Sequence, residues 1–214
     1  MNAKRLIVMD IDSTLINEEV IDLLGDEAGV GERVAAITER AMRGELDFKE
    51  ALAERVALLR DLPVSVLERV WARVTFTPGA RELVSAAHER GWVVGLVSGG
   101  FHEIADRLVA AAGIDYCLAN RLEVRGGQFT GRTQGPIVTC DLKLATMRQW
   151  AAEAEVDLAN VVAIGDGAND IPMLKAAGIG IAFCAKPATK AVAPHHIDER
   201  NLLKVLDLID ELSS

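Results

Sequence analysis

Apolar and polar positions come in blocks along this chain, and the sharpest boundary between them lies near its start. Leu6-Ile7-Val8-Met9 is an unbroken apolar run that stops in Asp10-Ile11-Asp12-Ser13-Thr14. Apolar residues without alternation predict a parallel strand buried on both faces, with Asp10 at its carboxyl end. Two carboxylates two residues apart can both face one crevice there if the backbone bends at Ile11. Trp92 to Val97, Asn160 to Ile164 and Ile179 to Phe183 repeat the buried-strand pattern. The first runs into Ser98-Gly99-Gly100, and the second into Gly165-Asp166-Gly167-Ala168-Asn169-Asp170. Tyr116 to Ala119 predicts a further strand, and Leu122 to Arg132, with Gly126-Gly127 inside it, a short hairpin.

Helical spacing fills most of the remainder. Between Thr14 and about Val74 four apolar stripes recur, beginning at Ile16, Val34, Phe48 and Leu67, with breaks at Gly25-Asp26, Gly29-Val30-Gly31, Gly44 and Leu62-Pro63. Ala80 to Arg90, the residues from about Phe101, Cys140 to Ala151, Ile171 to Ala177 and Glu199 to Leu212 predict the other helices. Strand, helical block, then alternating strands and helices predict an α/β fold with a Rossmann-like parallel-sheet core. The expected division is a core of residues 1–14 and 75–214, with a helical-bundle cap of residues 15–74 inserted over the end of the first strand.

Composition narrows the function. At 214 residues with a formal net charge of −9, the chain can bury one sizeable core, and its charge argues against nucleic acid or an anionic membrane as partner. Any phosphate the chain binds must therefore be met locally, by a metal and a few cations. Cys117, Cys140 and Cys184 lack C-x-x-C spacing, which speaks against a disulfide framework or structural zinc and for a reducing cytoplasm. The basic start, Met1 to Arg5, leads into an apolar run that ends at Asp10 without a cleavage site, so no secretory signal is expected. Monomer and homodimer both remain open.

The chemistry concentrates at predicted strand ends, where open α/β sheets bind their ligands. Clustered carboxylates repel and call for a cation, and an oxygen-only ligand set favours Mg²⁺ over zinc. The G-D-G-x-N-D loop has a chance frequency on the order of one in several thousand, which makes it far more specific than D-x-D-x-T alone. Ser98-Gly99-Gly100 offers a hydroxyl and backbone N–H groups to an anion, although an ordinary turn would look the same. Lys143, in a helix's first turn, opposes the helix dipole, which hints at function against the commoner surface lysine. Arg55 lies on or beside an inward stripe, where its guanidinium either meets an anion or snorkels to water. His195 and His196, as loop neighbours, point apart and make a poor metal site.

Taken in order, Asp10 to Thr14, Ser98 to Gly100, Lys143 and Gly165 to Asp170 resemble the four motifs of the haloacid dehalogenase superfamily. Asn17 to Asp22, Ala41 to Gly44, Phe48, Leu52 to Pro63 and Ala182 to Pro187 extend the likeness to its phosphoserine-cleaving branch. That resemblance implies a Mg²⁺-dependent hydrolase of phosphoserine in serine biosynthesis, with Asp10 as nucleophile and Asp12 as general acid and base. It assigns Ser98, the Gly99 amide and Lys143 to the phosphoryl group. Mg²⁺ would be held by Asp10, the Asp12 carbonyl and Asp166, with Asp170 and Asn169 in support and Asn169 also counted among the substrate contacts. Glu19 would take the amino group and Arg55 the carboxylate, with Met42 and Phe48 lining the pocket. Two rival expectations are phosphoryl transfer to an alcohol such as homoserine, or hydrolysis of another small metabolite. A third, a signalling receiver that phosphorylates a strand-end aspartate, is disfavoured by the cap and by Asp12.

Overall fold

Strand β1 (Leu6–Met9) is the central strand of a seven-stranded sheet. All four of its residues are fully buried. In the computed structural model, which describes residues 4–213, Leu6 and Val8 join one apolar layer with Met147 and Trp150, while Ile7 and Met9 join the opposite layer with Leu96 and Ile164. A strand with no polar face has nowhere else to sit, so the run seen in sequence becomes the sheet's middle. Met1 to Ala3 of the basic start, and Ser214, lie outside the described residues.

Strands β2 (Val93–Phe101) and β5 (Val161–Gly165) flank β1 in parallel. Beyond β2 come β3 (Tyr116–Arg125) and β4 (Gln128–Gln134); beyond β5 come β6 (Ile179–Phe183) and β7 (His195–Ile197). Among the strands of the described residues only β3 and β4 pair antiparallel, and the strand expected at Tyr116 to Ala119 and the first arm of the hairpin expected at Leu122 to Arg132 are one continuous strand, β3. Strand order reverses at β1, because the chain moves outward through β2 and β3 and then returns to β5 on β1's other side. A crevice opens at the carboxyl ends where that happens. Helices α1 (Val20–Glu27), α2 (Gly31–Met42), α3 (Phe48–Ala57) and α4 (Val66–Arg73) all lie between β1 and β2 in sequence. The helices α5 (Ala80–Glu89), α6 (His102–Ala112), α7 (Cys140–Glu153), α8 (Ile171–Ala176), α9 (Pro187–Lys190) and α10 (Lys204–Leu212) complete the chain.

Four other local expectations change. Ser98-Gly99-Gly100 is no turn: β2 stays extended through it, as far as the Phe101–Asn120 pairing with β3. Helix α1 continues through Gly25-Asp26, because Gly25 packs closely on Val34 and the break falls after Glu27. The last helix starts at Lys204 rather than Glu199, because the preceding residues bond elsewhere, with the Leu202 N–H donating to the Pro78 carbonyl. His195 and His196 belong to the edge strand β7 rather than to a loop.

The hairpin acquires a role that its sequence did not disclose. Asp61 N–H donates to the Phe129 carbonyl at 2.9 Å, Phe129 N–H to the Leu62 carbonyl at 3.0 Å, and Val64 N–H to the Gly127 carbonyl at 3.0 Å. The hairpin is thus stitched to the connection between α3 and α4, with Phe129 buried beneath it. Truncating Phe129 to alanine should therefore cost about 3–5 kcal/mol of stability, as expected for a large buried aromatic. Urea unfolding monitored by circular dichroism measures it, and a loss below about 1 kcal/mol would show that this docking contributes little.

Candidate active site

At the end of β1 the chain turns sharply, and the turn decides where two carboxylates point. Asp10 N–H pairs with the Ile164 carbonyl at 3.0 Å, and its buried side chain accepts from Ile11 N–H at 2.7 Å. The expected bend at Ile11 falls slightly later: Asp12 is extended and Ser13 takes left-handed backbone, φ 56°. Such a conformation costs a non-glycine residue free energy and persists only where neighbours enforce it. Here Ser13 N–H donates to the Glu18 carbonyl at 3.1 Å, and Ser13 Oγ donates to the Glu19 carboxylate at 2.7 Å. Asp12 accepts from Val20 N–H at 3.2 Å. Burial, and then the charges of Glu19 and Asp10, push the Asp12 carboxyl well above its ordinary range. Burial also raises Glu19.

The second set comes from α7 and the loop after β5. Lys143 is no surface residue: it is completely buried, its Nζ 2.8 Å from Asp10 Oδ2 and 2.7 Å from Asp170 Oδ1. Burial alone would lower its pKa, but the two carboxylates more than reverse that and raise it. Asp170 also accepts from Gly167 N–H at 3.1 Å, and its carboxylate lies so close to Gly165 that a Cβ there would collide with it. Carboxylate oxygens of Asp10, Asp166 and Asp170 all fall within 4.8 Å of one another. Burial and then the charges of Asp10 and Asp170 lift Asp166 to about 7, while burial, only partly offset by Lys143, lifts Asp170 to about 6. One ammonium does not balance three carboxylates, and hard oxygen donors this close together fit a divalent cation. Thr14 adds a long contact from its Oγ1 to Asp166, 3.5 Å. The Asp12 side chain stands outside this cluster of three, on the side of Gly100, where a Cβ would approach its Oδ2 to 2.7 Å.

The end of β2 supplies neutral donors. Ser98 is buried and its Oγ accepts from Gly100 N–H at 2.9 Å. Asn120, a fully buried amide on β3, donates to the Gly99 carbonyl at 2.7 Å and accepts from Val138 N–H at 2.8 Å. It fixes the Gly99 peptide plane and hence the direction of the next N–H. Sequence reading missed it, although an amide at the end of the apolar run Cys117 to Ala119 was its signal.

These groups line one cavity of about 1140 Å³, closed on its other side by the inserted helices. Glu19, Phe48 and Arg55 line that side, together with Met42, which is 72% exposed at the rim. A capping box explains the placement: Asp47 accepts from Glu50 N–H at 2.8 Å and Glu50 from Asp47 N–H at 2.9 Å, so α3 starts at Phe48 and carries Arg55 two turns on. Half-buried Arg55 donates to the Ala51 carbonyl, and the charges facing it are Asp22, Glu19 and Asp12. Half-buried Asn169 and exposed Lys186 also reach the cavity. Asp22 and Lys186 had carried no assignment.

Comparison with known proteins gives a consistent picture. Residues 7–175 match the family described as haloacid dehalogenase-like hydrolase. The chain is 61% identical over 209 residues to the phosphoserine phosphatase of Streptococcus thermophilus, covering 98% of this chain and 97% of that one. A substrate-bound phosphoserine phosphatase complex superimposes with a TM-score of 0.92 at 43% identity, covering 97% of this chain and 99% of the other. A phospho-aspartyl intermediate analogue of phosphoserine phosphatase gives 0.91 at 43% identity over the same shares.

Proposed function

The chain belongs to the haloacid dehalogenase-like hydrolases, and from that premise we propose that it hydrolyses O-phospho-L-serine to L-serine and phosphate through an aspartyl-phosphate on Asp10. The observation that carries this reading is a single cavity with opposite chemistry on its two sides. Its floor holds a strand-end carboxylate against a buried ammonium, and its roof holds Arg55 and Glu19. The substrate has the matching parts: a phosphate for the floor, a carboxylate for the guanidinium and an ammonium for the glutamate. The relatives and structures named for phosphoserine support that choice.

Each residue has a physical task in this reading. The Asp10 carboxylate attacks phosphorus while the phosphate–serine bond breaks. Ser98, the Gly99 N–H and Lys143 donate to the phosphoryl oxygens, and their stabilisation grows as negative charge shifts onto those atoms. Asp12, whose raised pKa favours its protonated form, gives its proton to the departing serine oxygen. The resulting Asp12 carboxylate then takes a proton from water, which attacks the aspartyl-phosphate and frees Asp10. Asp10, the Asp12 carbonyl and Asp166 would hold Mg²⁺, with Asp170 in support. Bound there, it neutralises the repulsion between a carboxylate nucleophile and a phosphate dianion. Asn169 supports the phosphate, and Phe48 and Met42 shield the serine carbons from water. Residues 15–74 act as a cap that closes for the first step and loosens for water entry and product release. The reaction acts on a small molecule, and the three free cysteines suit a reducing cytoplasm as its place. No helix among the described residues is long and apolar enough to cross a membrane.

Three outcomes test the reading. Asp10→Asn, folded by circular dichroism, should release phosphate from phosphoserine at below about one per cent of the wild-type rate; more would remove the nucleophile from Asp10. Chelation should stop phosphate release and added Mg²⁺ should restore it, with Asp166→Ala raising the Mg²⁺ concentration needed for half-maximal rate. Activity that survives exhaustive chelation would exclude the metal. Finally, Arg55→Ala should lower kcat/KM for phosphoserine by roughly 30-fold or more, because the substrate carboxylate then loses a bidentate partner inside a closed site. An aryl phosphate without a carboxylate should be nearly unaffected. Equal losses on both substrates would show that Arg55 serves the cap or the chemistry rather than recognition.

A further inference from the structure

The chains entering and leaving the inserted helices run side by side. Asn17 N–H donates to the Thr75 carbonyl at 3.0 Å, Thr77 N–H to the Leu15 carbonyl at 2.9 Å, and the Glu18 carboxylate accepts from both Thr75 N–H and Thr75 Oγ1. The segment between β7 and α10 touches both chains. Leu202 bonds the returning one at Pro78, 2.8 Å, and half-buried Arg200 bonds the outgoing one. Arg200 Nε donates to Asn17 Oδ1 at 2.7 Å, and its Nη2 donates to the carbonyls of Ser13 at 3.3 Å and Ile16 at 3.4 Å. None of these three acceptors is a carboxylate. A guanidinium spread over three neutral oxygens contributes geometry, since its rigid fork fixes acceptors relative to one another.

What it fixes is the residue that orients Glu19. Ser13 is the left-handed residue of the catalytic turn, and its Oγ donates to the Glu19 carboxylate at 2.7 Å. Arg200 grips the carbonyl of that same residue from outside the cavity, and grips Ile16 and Asn17 on the path from Ser13 to Glu19. We propose that Arg200 is a positioning residue for substrate recognition: held on Ser13, Ile16 and Asn17, it sets the Glu19 carboxylate toward the substrate's amino group without touching the substrate. This rests on the assignment of Glu19 to the ammonium of phosphoserine.

A double-mutant cycle of Arg200→Ala and Glu19→Gln separates the two claims, with kcat/KM measured on phosphoserine and on p-nitrophenyl phosphate. Arg200→Ala should lower the value for phosphoserine about tenfold and that for the aryl phosphate less than about twofold, and it should cost phosphoserine less than about twofold further once Glu19 is Gln. Arg200→Lys, with a single ammonium in place of the fork, should recover only part of the loss. Equal losses on both substrates, or an undiminished loss in the Glu19→Gln background, overturn the proposal while leaving the function reading intact, and Arg200 is then a brace of the neck alone. If Glu19→Gln affects both substrates alike, the ammonium assignment falls, and the role of Arg200 with it. Should Arg200→Ala not fold, Arg200→Gln carries the same comparison.

Discussion

A fully buried ammonium is the constraint on which the rest of this site depends. Lys143 lies 2.8 Å from one carboxylate and 2.7 Å from another, without exposed surface. Removing such a charge from water is expensive, and only close, well-directed partners offset it. Asp10 directly follows β1 and Asp170 lies in the short turn after β5, so the ion contact ties β1, the loop after β5 and α7 into one geometry. Crowding the acidic side chains has a chemical consequence as well. Lys143 neutralises only one negative charge, and burial, together with the remaining charges of Asp10 and Asp170, pushes Asp166 up to about 7. Three carboxylates this close together form an oxygen donor set that could hold a divalent cation, whose charge would offset their mutual repulsion.

The second constraint is mechanical. The inserted helices are joined to the sheet by two chains that cross-bond at Asn17, Glu18 and Thr75, and they are held again by the hairpin through Asp61, Leu62 and Val64. Two separate attachments thus connect the helices that carry Arg55 to the sheet that carries Asp10. In the proposed reading, these attachments define the closed position in which the Arg55 guanidinium stands at a set distance from the reacting phosphate. Ser13 belongs to the same economy of strain. Its left-handed backbone is tolerable because Glu18, Glu19 and Arg200 all bond to it.

Much of this was legible in the chain itself. The run Leu6 to Met9 had to be a doubly buried strand, Asp10 had to end it, and the acidic loop after Ile164 had to lie at a neighbouring strand end, because hydrophobic periodicity and glycine placement are local properties. Family resemblance added roles to those positions, and the comparisons bear out the family and the fold class. Where local reading was misled, long-range packing was the reason. Ser98-Gly99-Gly100 has the composition of a turn yet stays extended beside β3. Gly25 has the composition of a break yet sits inside α1 because Val34 needs the space.

The sequence by itself determined the elements, the strand ends that carry carboxylates, and the excess of negative charge that calls for a cation. Only the tertiary structure decided that Lys143 is a buried bridge and not a surface residue, since nothing in a first-turn lysine's neighbours along the chain reports its solvent exposure. It also decided the partners of Asn120 and Arg200, whose bonds reach 21 and 187 residues along the chain, and the docking of the hairpin beneath the inserted helices. Those contacts depend on how strands order in the sheet and where helices cross it. Side-chain pattern fixes which face is apolar, but not which distant polar group will come to meet it.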